Sequence, residues 1–132
     1  LTAAVTISDG KTPCVVPDHK LSLCVGSSED EVHYICALLN SAPSQFIVKG
    51  YGLETSVSTH VLKYIKIATF NHKDKTHCAL AANSRALHEA TAAGDIKKIE
   101  ALEAENLELA AAYWGLEKNE VADIKASLEE LA

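Results

Sequence analysis

The chain has 132 residues, of which 48% are hydrophobic and 5% aromatic, and its formal net charge is −6. These values suit one domain with a single core of Leu, Ile, Val and Ala. They do not suit a free-standing nucleic-acid-binding protein, because phosphate contacts need clustered cations. No apolar run reaches the roughly 20 residues that span a bilayer, and no signal peptide is evident. We therefore expect a cytoplasmic protein with no membrane partner.

The first part of the chain has the pattern of short β-strands. Residues 5–7 and 14–16 are β-prone runs, and the turn signal Asp9-Gly10 separates them. Leu and Val then alternate with Ser and Cys over residues 21–25, which is typical of a half-buried strand. We predict a small sheet within residues 3–25.

A change from period two to helical spacing near Ser28 predicts the first helix. Ser28 and Glu31 have the spacing of a capping box, and the helix should stop at residues 40–43, which end in proline. We predict a helix at 29–40. Residues 45–49 are compatible with a second, shorter helix.

The segment at 62–67 places lysines beside an apolar anchor. Its alternating residues are Leu62, Ile65 and Ile67 with Lys63 and Lys66. We expect the apolar side chains to be buried and the lysines exposed, and we predict a further strand of the sheet at 64–70. Residues 49–77 are also the only electropositive section, with five Lys and three His against two acidic residues.

The last 55 residues have helical periodicity, and eleven acidic residues outnumber five basic ones there. Helices are predicted at about 74–91, 95–113 and 117–131, with Gly115 as a helix stop. We expect the last two to form a hairpin with acidic outer faces. The apolar seam of 96–113 would either pack within this hairpin or associate with another subunit, as a homo-oligomer. Asn106 would fix the register in both cases.

The predicted fold is therefore α+β. Residues 1–73 would form a small N-terminal mixed β-sheet with a packed helix, and residues 74–132 a C-terminal helical hairpin, together in one domain. Because the chain begins at Leu1 and contains no Met, we expect it to be a fragment of a longer protein.

Two segments resemble a known family. Cys36-Ala-Leu-Leu-Asn-Ser41 ends an amphipathic helix, and Ser58-Thr-His-Val-Leu-Lys-Tyr-Ile-Lys-Ile67 follows it. This arrangement resembles the C-terminal target-recognition region of bacterial N6-adenine DNA methyltransferases of restriction-modification and phage-defence systems. There, a helix ending in Leu-Asn-Ser precedes a Ser/Thr-rich loop and a Leu-x-x-Ile-x-Ile segment. Residues 16–21 resemble the strand entry of that family, and residues 110–116 its closing helix.

The resemblance implies a non-catalytic specificity fragment that contacts double-stranded DNA within a parent enzyme. The chain lacks a glycine-rich cofactor loop and an Asn/Asp-Pro-Pro-aromatic tetrapeptide, so S-adenosylmethionine and the catalytic methyltransferase domain are expected upstream. Phosphate contacts would position the duplex, and polar side chains of the loop would read bases. The expected DNA-binding residues are Lys49, Ser56, Ser58, Thr59, His60, Lys63, Lys66 and Lys73.

Other interpretations stay open at this point. The lysines could form a solvated face, and the acidic hairpin could serve a protein-interaction module that never contacts DNA. The six His and four Cys raise the possibility of a metal- or Cys-dependent hydrolase, but they lack the closely spaced ligand pairs of structural zinc sites. Buried thiols are the expectation for the cysteines. Arg85, the single arginine, lies among acidic residues, so base readout would have to use other side chains.

Overall fold

Six α-helices are present in the computed structural model, which describes residues 1–7, 10–11, 18, 21–51 and 59–130. They are α1 (Glu29–Asn40), α2 (Ala42–Tyr51), α3 (Thr59–Leu62), α4 (Lys75–Ala93), α5 (Ile96–Trp114) and α6 (Lys118–Glu130). No strand occurs in the described ranges, 68% of whose residues are helical. The predicted α+β fold is therefore wrong, and the described part of the chain is all-helical.

The predicted sheet at 3–25 fails first at the N-terminus, where helix side chains replace a neighbouring strand. The Asn40 side-chain amide pairs with both backbone groups of Ala3, accepting from its N–H at 2.9 Å and donating to its carbonyl at 2.8 Å. The Val5 N–H donates to His88 Nε2 at 3.0 Å. Leu21, Leu23 and Val25 are 63%, 63% and 84% exposed, so 21–25 is not a half-buried strand. Residues 12–17, with the predicted 14–16 run, lie outside the described residues.

The predicted strand at 64–70 is wrong for the same physical reason. The Ala68 N–H donates to the Tyr113 hydroxyl at 2.7 Å, and the Ala68 carbonyl accepts from the Tyr34 hydroxyl at 3.1 Å. The two hydroxyls are themselves hydrogen-bonded at 3.0 Å. These tyrosines make the hydrogen bonds with Ala68 that a neighbouring strand would make, so residues 66–71 have no regular secondary structure and belong to no sheet.

The helix ends follow local sequence signals. The Ser28 hydroxyl accepts the Glu31 N–H at α1, while the Glu31 carboxylate binds Ser27 instead of closing the predicted capping box on Ser28. Asp74 and Asp95 cap the N-termini of α4 and α5, which end at two glycines of positive φ, Gly94 (69°) and Gly115 (67°). The predicted helices 29–40, 74–91, 95–113 and 117–131 correspond to α1, α4, α5 and α6.

The helices pack in an order that the sequence did not suggest. α4 lies between α1 and α5, and α6 packs against α2, so α5 and α6 do not form the predicted hairpin. Small residues allow α4 and α5 to approach closely in the main core, which consists of Tyr34, Ala37, Leu38, Leu80, Ala81 and Ala110. Asn106 donates to the Ala37 carbonyl at 3.0 Å, so its polar group fixes α5 against α1 within the chain. In the described ranges, no helix is long and apolar enough to cross a membrane.

A second, smaller core lies beside the first. Val48, Val61 and Ile65 form it, and Trp114 packs against both cores. Leu62 and Ile67 are partly buried against it. The predicted burial of the apolar anchor is therefore confirmed for Ile65 and only in part for Leu62 and Ile67. This smaller core supports the surface on which the lysines lie.

Candidate nucleic-acid interface

The lysines of the predicted DNA-binding segment lie on a tight turn, residues 60–66, which we call the basic turn. Val61 and Ile65 are only 8% and 6% exposed, and they lie four residues apart on its inner side. The Tyr64 N–H donates to the Val61 carbonyl at 3.0 Å, which keeps the backbone helical in this region. Lys63 and Lys66 must therefore face outward, and both are exposed, as the sequence predicts.

Side chains from the helical core hold the chain immediately after the basic turn. Trp114 Nε1 donates to the Lys66 carbonyl at 3.3 Å, and the two tyrosines described above hold Ala68. Burial and the hydrogen bond with Tyr113 raise the pKa of Tyr34, so its hydroxyl stays protonated and remains a donor. The backbone at and just after Lys66 is thus hydrogen-bonded to side chains of the helical core.

Of the predicted DNA-binding residues that are not lysines, two lie in or next to the basic turn. Thr59 begins α3, and His60 follows it on the exposed side of the turn. Ser56 and Ser58 lie outside the described residues.

The two outermost predicted lysines differ from the pair in the turn. Lys49 lies in the last turn of α2, where its Nζ donates to the Leu128 carbonyl of α6 at 3.4 Å. Lys73 is exposed in the turn before α4, and its N–H donates to Asn71 Oδ1. Of the four lysines, Lys63 and Lys66 therefore share the basic turn. Lys49 is bonded to α6, and Lys73 lies in the turn before α4.

A feature that the sequence analysis did not single out is an exposed pair of tyrosines. The rings of Tyr51 and Tyr64 are stacked, with centroids 4.5 Å apart and planes 5° apart, although the residues are 61% and 56% exposed. Tyr51 is the last residue of α2, and Tyr64 lies in the basic turn. In the sequence, each tyrosine lies within two residues of a lysine: Tyr51 follows Lys49, and Tyr64 follows Lys63.

The cationic side chain best suited to read guanine is engaged elsewhere. Arg85 donates to the Glu29 carboxylate at 3.2 Å and to the Asp30 carboxylate at 2.7 Å, joining α4 to α1. This pairing shows that Arg85 lies among acidic residues, as the sequence indicates. Any readout at the basic turn would use hydroxyl, imidazole or ammonium groups.

The cysteines and histidines do not form a common site in the part of the chain that the structure describes. No cluster of three or more His, Cys, Asp or Glu is arranged to hold a metal ion there. Cys36 is buried, and burial raises the pKa of its thiol, which disfavours the reactive thiolate. Cys24 and Cys78 are exposed, so the expectation of buried thiols is wrong for these two. Cys14 lies outside the described residues.

No protein-family model, curated protein or solved structure matches this chain.

Proposed function

We propose that this chain is the target-recognition part of an N6-adenine DNA methyltransferase or restriction-modification enzyme, and that it contacts double-stranded DNA through the basic turn. The observation that carries the proposal is the outward placement of Lys63 and Lys66 on a turn fixed by buried Val61 and Ile65. A rigid mount reduces the entropy lost when a side chain is fixed on a phosphate.

The distribution of charge supports the same surface. Residues 59–73 contain three lysines and no acidic residue, whereas the chain as a whole carries −6. Acidic residues elsewhere would repel phosphate and restrict contact to this surface. In the proposed role, the lysines contact the phosphate backbone of the DNA and position the duplex, while neighbouring polar groups face the bases.

In this proposal the chemistry belongs to a separate catalytic domain. S-adenosylmethionine would bind there, and this chain would add sequence selection without a catalytic residue of its own. The absence of a glycine-rich cofactor loop and of an Asn/Asp-Pro-Pro-aromatic tetrapeptide from the sequence supports this division.

The test is a Lys63→Ala/Lys66→Ala double variant, titrated with target and non-target duplexes at several salt concentrations in the protein that carries the catalytic domain. Each lost phosphate contact should reduce the salt slope by about one unit, and binding should weaken similarly for both duplexes. Between 50 and 200 mM salt, the fall in affinity should be roughly tenfold smaller than for the wild type.

A matched control uses Lys97 and Lys98, an exposed lysine pair at the start of α5. Lys97→Ala/Lys98→Ala removes the same charge from an acidic surface and should leave affinity and salt slope close to wild-type values. Equal effects of the two double variants would refute the proposal, because the lysines of the turn would then contribute only net charge.

A second candidate function is a protein-interaction module, which Ile96 favours by being 64% exposed at the start of α5. A second copy of the chain is the occupant to test, through a concentration-dependent dimer that Ile96→Asp abolishes. A monomer at all concentrations would exclude this candidate.

A further inference from the structure

We propose that Tyr51 and Tyr64 form a stacking site for an unpaired DNA base beside the lysines of the basic turn. This inference rests on the proposed function, and it assigns a ligand class to a pair of residues that the lysine contacts leave unexplained. The base would lie on the outer face of one ring, extending the existing stack.

Buried residues support the two tyrosines, although the tyrosines themselves are exposed. Tyr51 lies three residues after buried Val48, and Tyr64 lies three residues after buried Val61. Both valines belong to the smaller core, together with Ile65. The two rings are therefore carried by a common support, and they hold a nearly parallel arrangement, 4.5 Å apart, in contact with solvent.

The surroundings indicate the chemistry of the ligand. In a stacked pair each ring covers one face of the other, and the 61% and 56% exposure of the two residues leaves their outer sides open. Aromatic rings stack on every base, and they do so with little sequence preference. Lys63 is adjacent to Tyr64 and Lys66 is two residues away, so cations for the neighbouring phosphates are at hand, while a cationic ligand would be repelled.

The bases of an intact duplex have no accessible face, since each is covered by its neighbours. The ligand is therefore a base outside the stack, such as a bulged or single-stranded base. A purely structural role for the pair, in which the stack joins the end of α2 to the basic turn, makes a different prediction. It would affect thermal stability and would not distinguish bulged from intact DNA.

The experiment titrates the full 132-residue chain with a short intact duplex and with the same duplex carrying one bulged 2-aminopurine, whose fluorescence falls on stacking. Wild-type protein should quench the fluorescence and bind the bulged duplex more tightly. Tyr51→Leu/Tyr64→Leu should lose roughly 5- to 100-fold in affinity for the bulged duplex only, with an unchanged salt slope. The control, Tyr51→Phe/Tyr64→Phe, keeps the rings and should retain both effects.

The outcomes separate this inference from the proposed function. If the Leu variant matches wild type on the bulged duplex while Lys63→Ala/Lys66→Ala weakens both duplexes, the stacking site is refuted and the lysine contacts stand. If the Leu variant loses the preference and the lysine variant changes nothing, the stacking site stands alone. Wild-type protein without preference or quenching refutes the stacking site. If the Leu pair lowers the melting temperature enough to unfold the protein, Tyr64→Leu alone decides the same comparison.

Discussion

The basic turn and the far end of the α4–α5 helix pair (residues 87–105, the acidic arm) differ in charge and in how their backbones are held. The acidic arm carries five acidic residues and two lysines. Both of its helices are capped from within the arm, α4 by Gly94 at its C-terminus and α5 by Asp95 at its N-terminus. The basic turn and the extended residues after it rely on side chains from distant parts of the chain.

The difference follows from where backbone hydrogen bonds can be made. A helix satisfies most of its own N–H and C=O groups, whereas an extended segment without a partner strand needs donors and acceptors from outside. At Ala68 these are the hydroxyls of Tyr34 and Tyr113, which come from α1 and α5. The backbone beside the proposed DNA-contacting surface is thus held by tyrosine side chains of the helical core.

The largest expected effect is on the support of the basic turn. Tyr34 is fully buried, so Tyr34→Ala should lower the free energy of unfolding by about 3–5 kcal/mol through the cavity it leaves. Ile96→Ala in the exposed arm should change it by less than about 0.5 kcal/mol. Urea denaturation measures both. Equal losses would mean that the two regions are supported alike.

Removing only the hydroxyl isolates the polar part of that support. Tyr34→Phe removes the donor to the carbonyl of Ala68, and because Ala68 is exposed to water we expect a loss of about 0.5–1.5 kcal/mol. Hydrogen exchange at the Ala68 amide should accelerate more than exchange within α5. If stability and exchange at Ala68 stayed at wild-type values, the tyrosine clamp would not be what holds the extended segment.

Two glycines, Gly94 and Gly50, differ in backbone conformation, and replacing each by alanine tests this difference. A Cβ on Gly94 or on Gly50 would meet no atom within 4 Å, so any cost is conformational. Gly94 has a φ of 69° at the end of α4, and Gly94→Ala should cost about 1 kcal/mol. Gly50 lies within α2, where Gly50→Ala should stabilise by about 0.5–1 kcal/mol. Thermal unfolding that shifted in the same direction for both variants would contradict this account.

The smallest expected effect is a dependence on pH that arises away from the basic turn. Burial lowers the pKa of His33 below 6.5, and His88 and Arg85 lower it further, while Glu29 and Asp30 raise it. The folded state therefore takes up a proton less readily than the unfolded chain. The stability that His33 contributes is complete above about pH 6.5, and it is lost as the pH falls through the lowered folded pKa.

Urea titrations between neutral and mildly acidic pH measure this effect. His33→Gln should flatten the decline in stability toward low pH. A decline that is identical in the variant and the wild type would assign the pH dependence to other groups.

The contrast between the two regions also explains which parts of the fold the sequence could predict. Caps, glycine stops and helical spacing are local, so α1 and the helices of the arm were predicted within a few residues of their observed ends. The alternation over 62–67 predicted the burial of Ile65 and the exposure of its lysines. The same alternation could not distinguish a strand from an extended segment held by tyrosines, because Tyr34 and Tyr113 lie far away in sequence.

Local sequence patterns likewise could not predict which helices pack against each other. Periodicity showed that α5 and α6 each have an apolar stripe, but not that α4 would take α5 as its partner and leave α6 to α2. The Tyr51–Tyr64 stack was missed because the two residues are brought together only by the core beneath them. Composition and local charge nevertheless located the candidate surface.

The most direct test of the account is to map DNA contact on the whole chain at once. Two-dimensional NMR of the isotope-labelled protein, titrated with a short DNA duplex, follows every backbone amide without any mutation. We predict shifts concentrated at residues 49–51 and 59–73, which weaken as salt is added, and unchanged signals from residues 87–105. Shifts concentrated in the acidic arm or α6, or spread evenly over the chain, would contradict the claim that the basic turn contacts DNA.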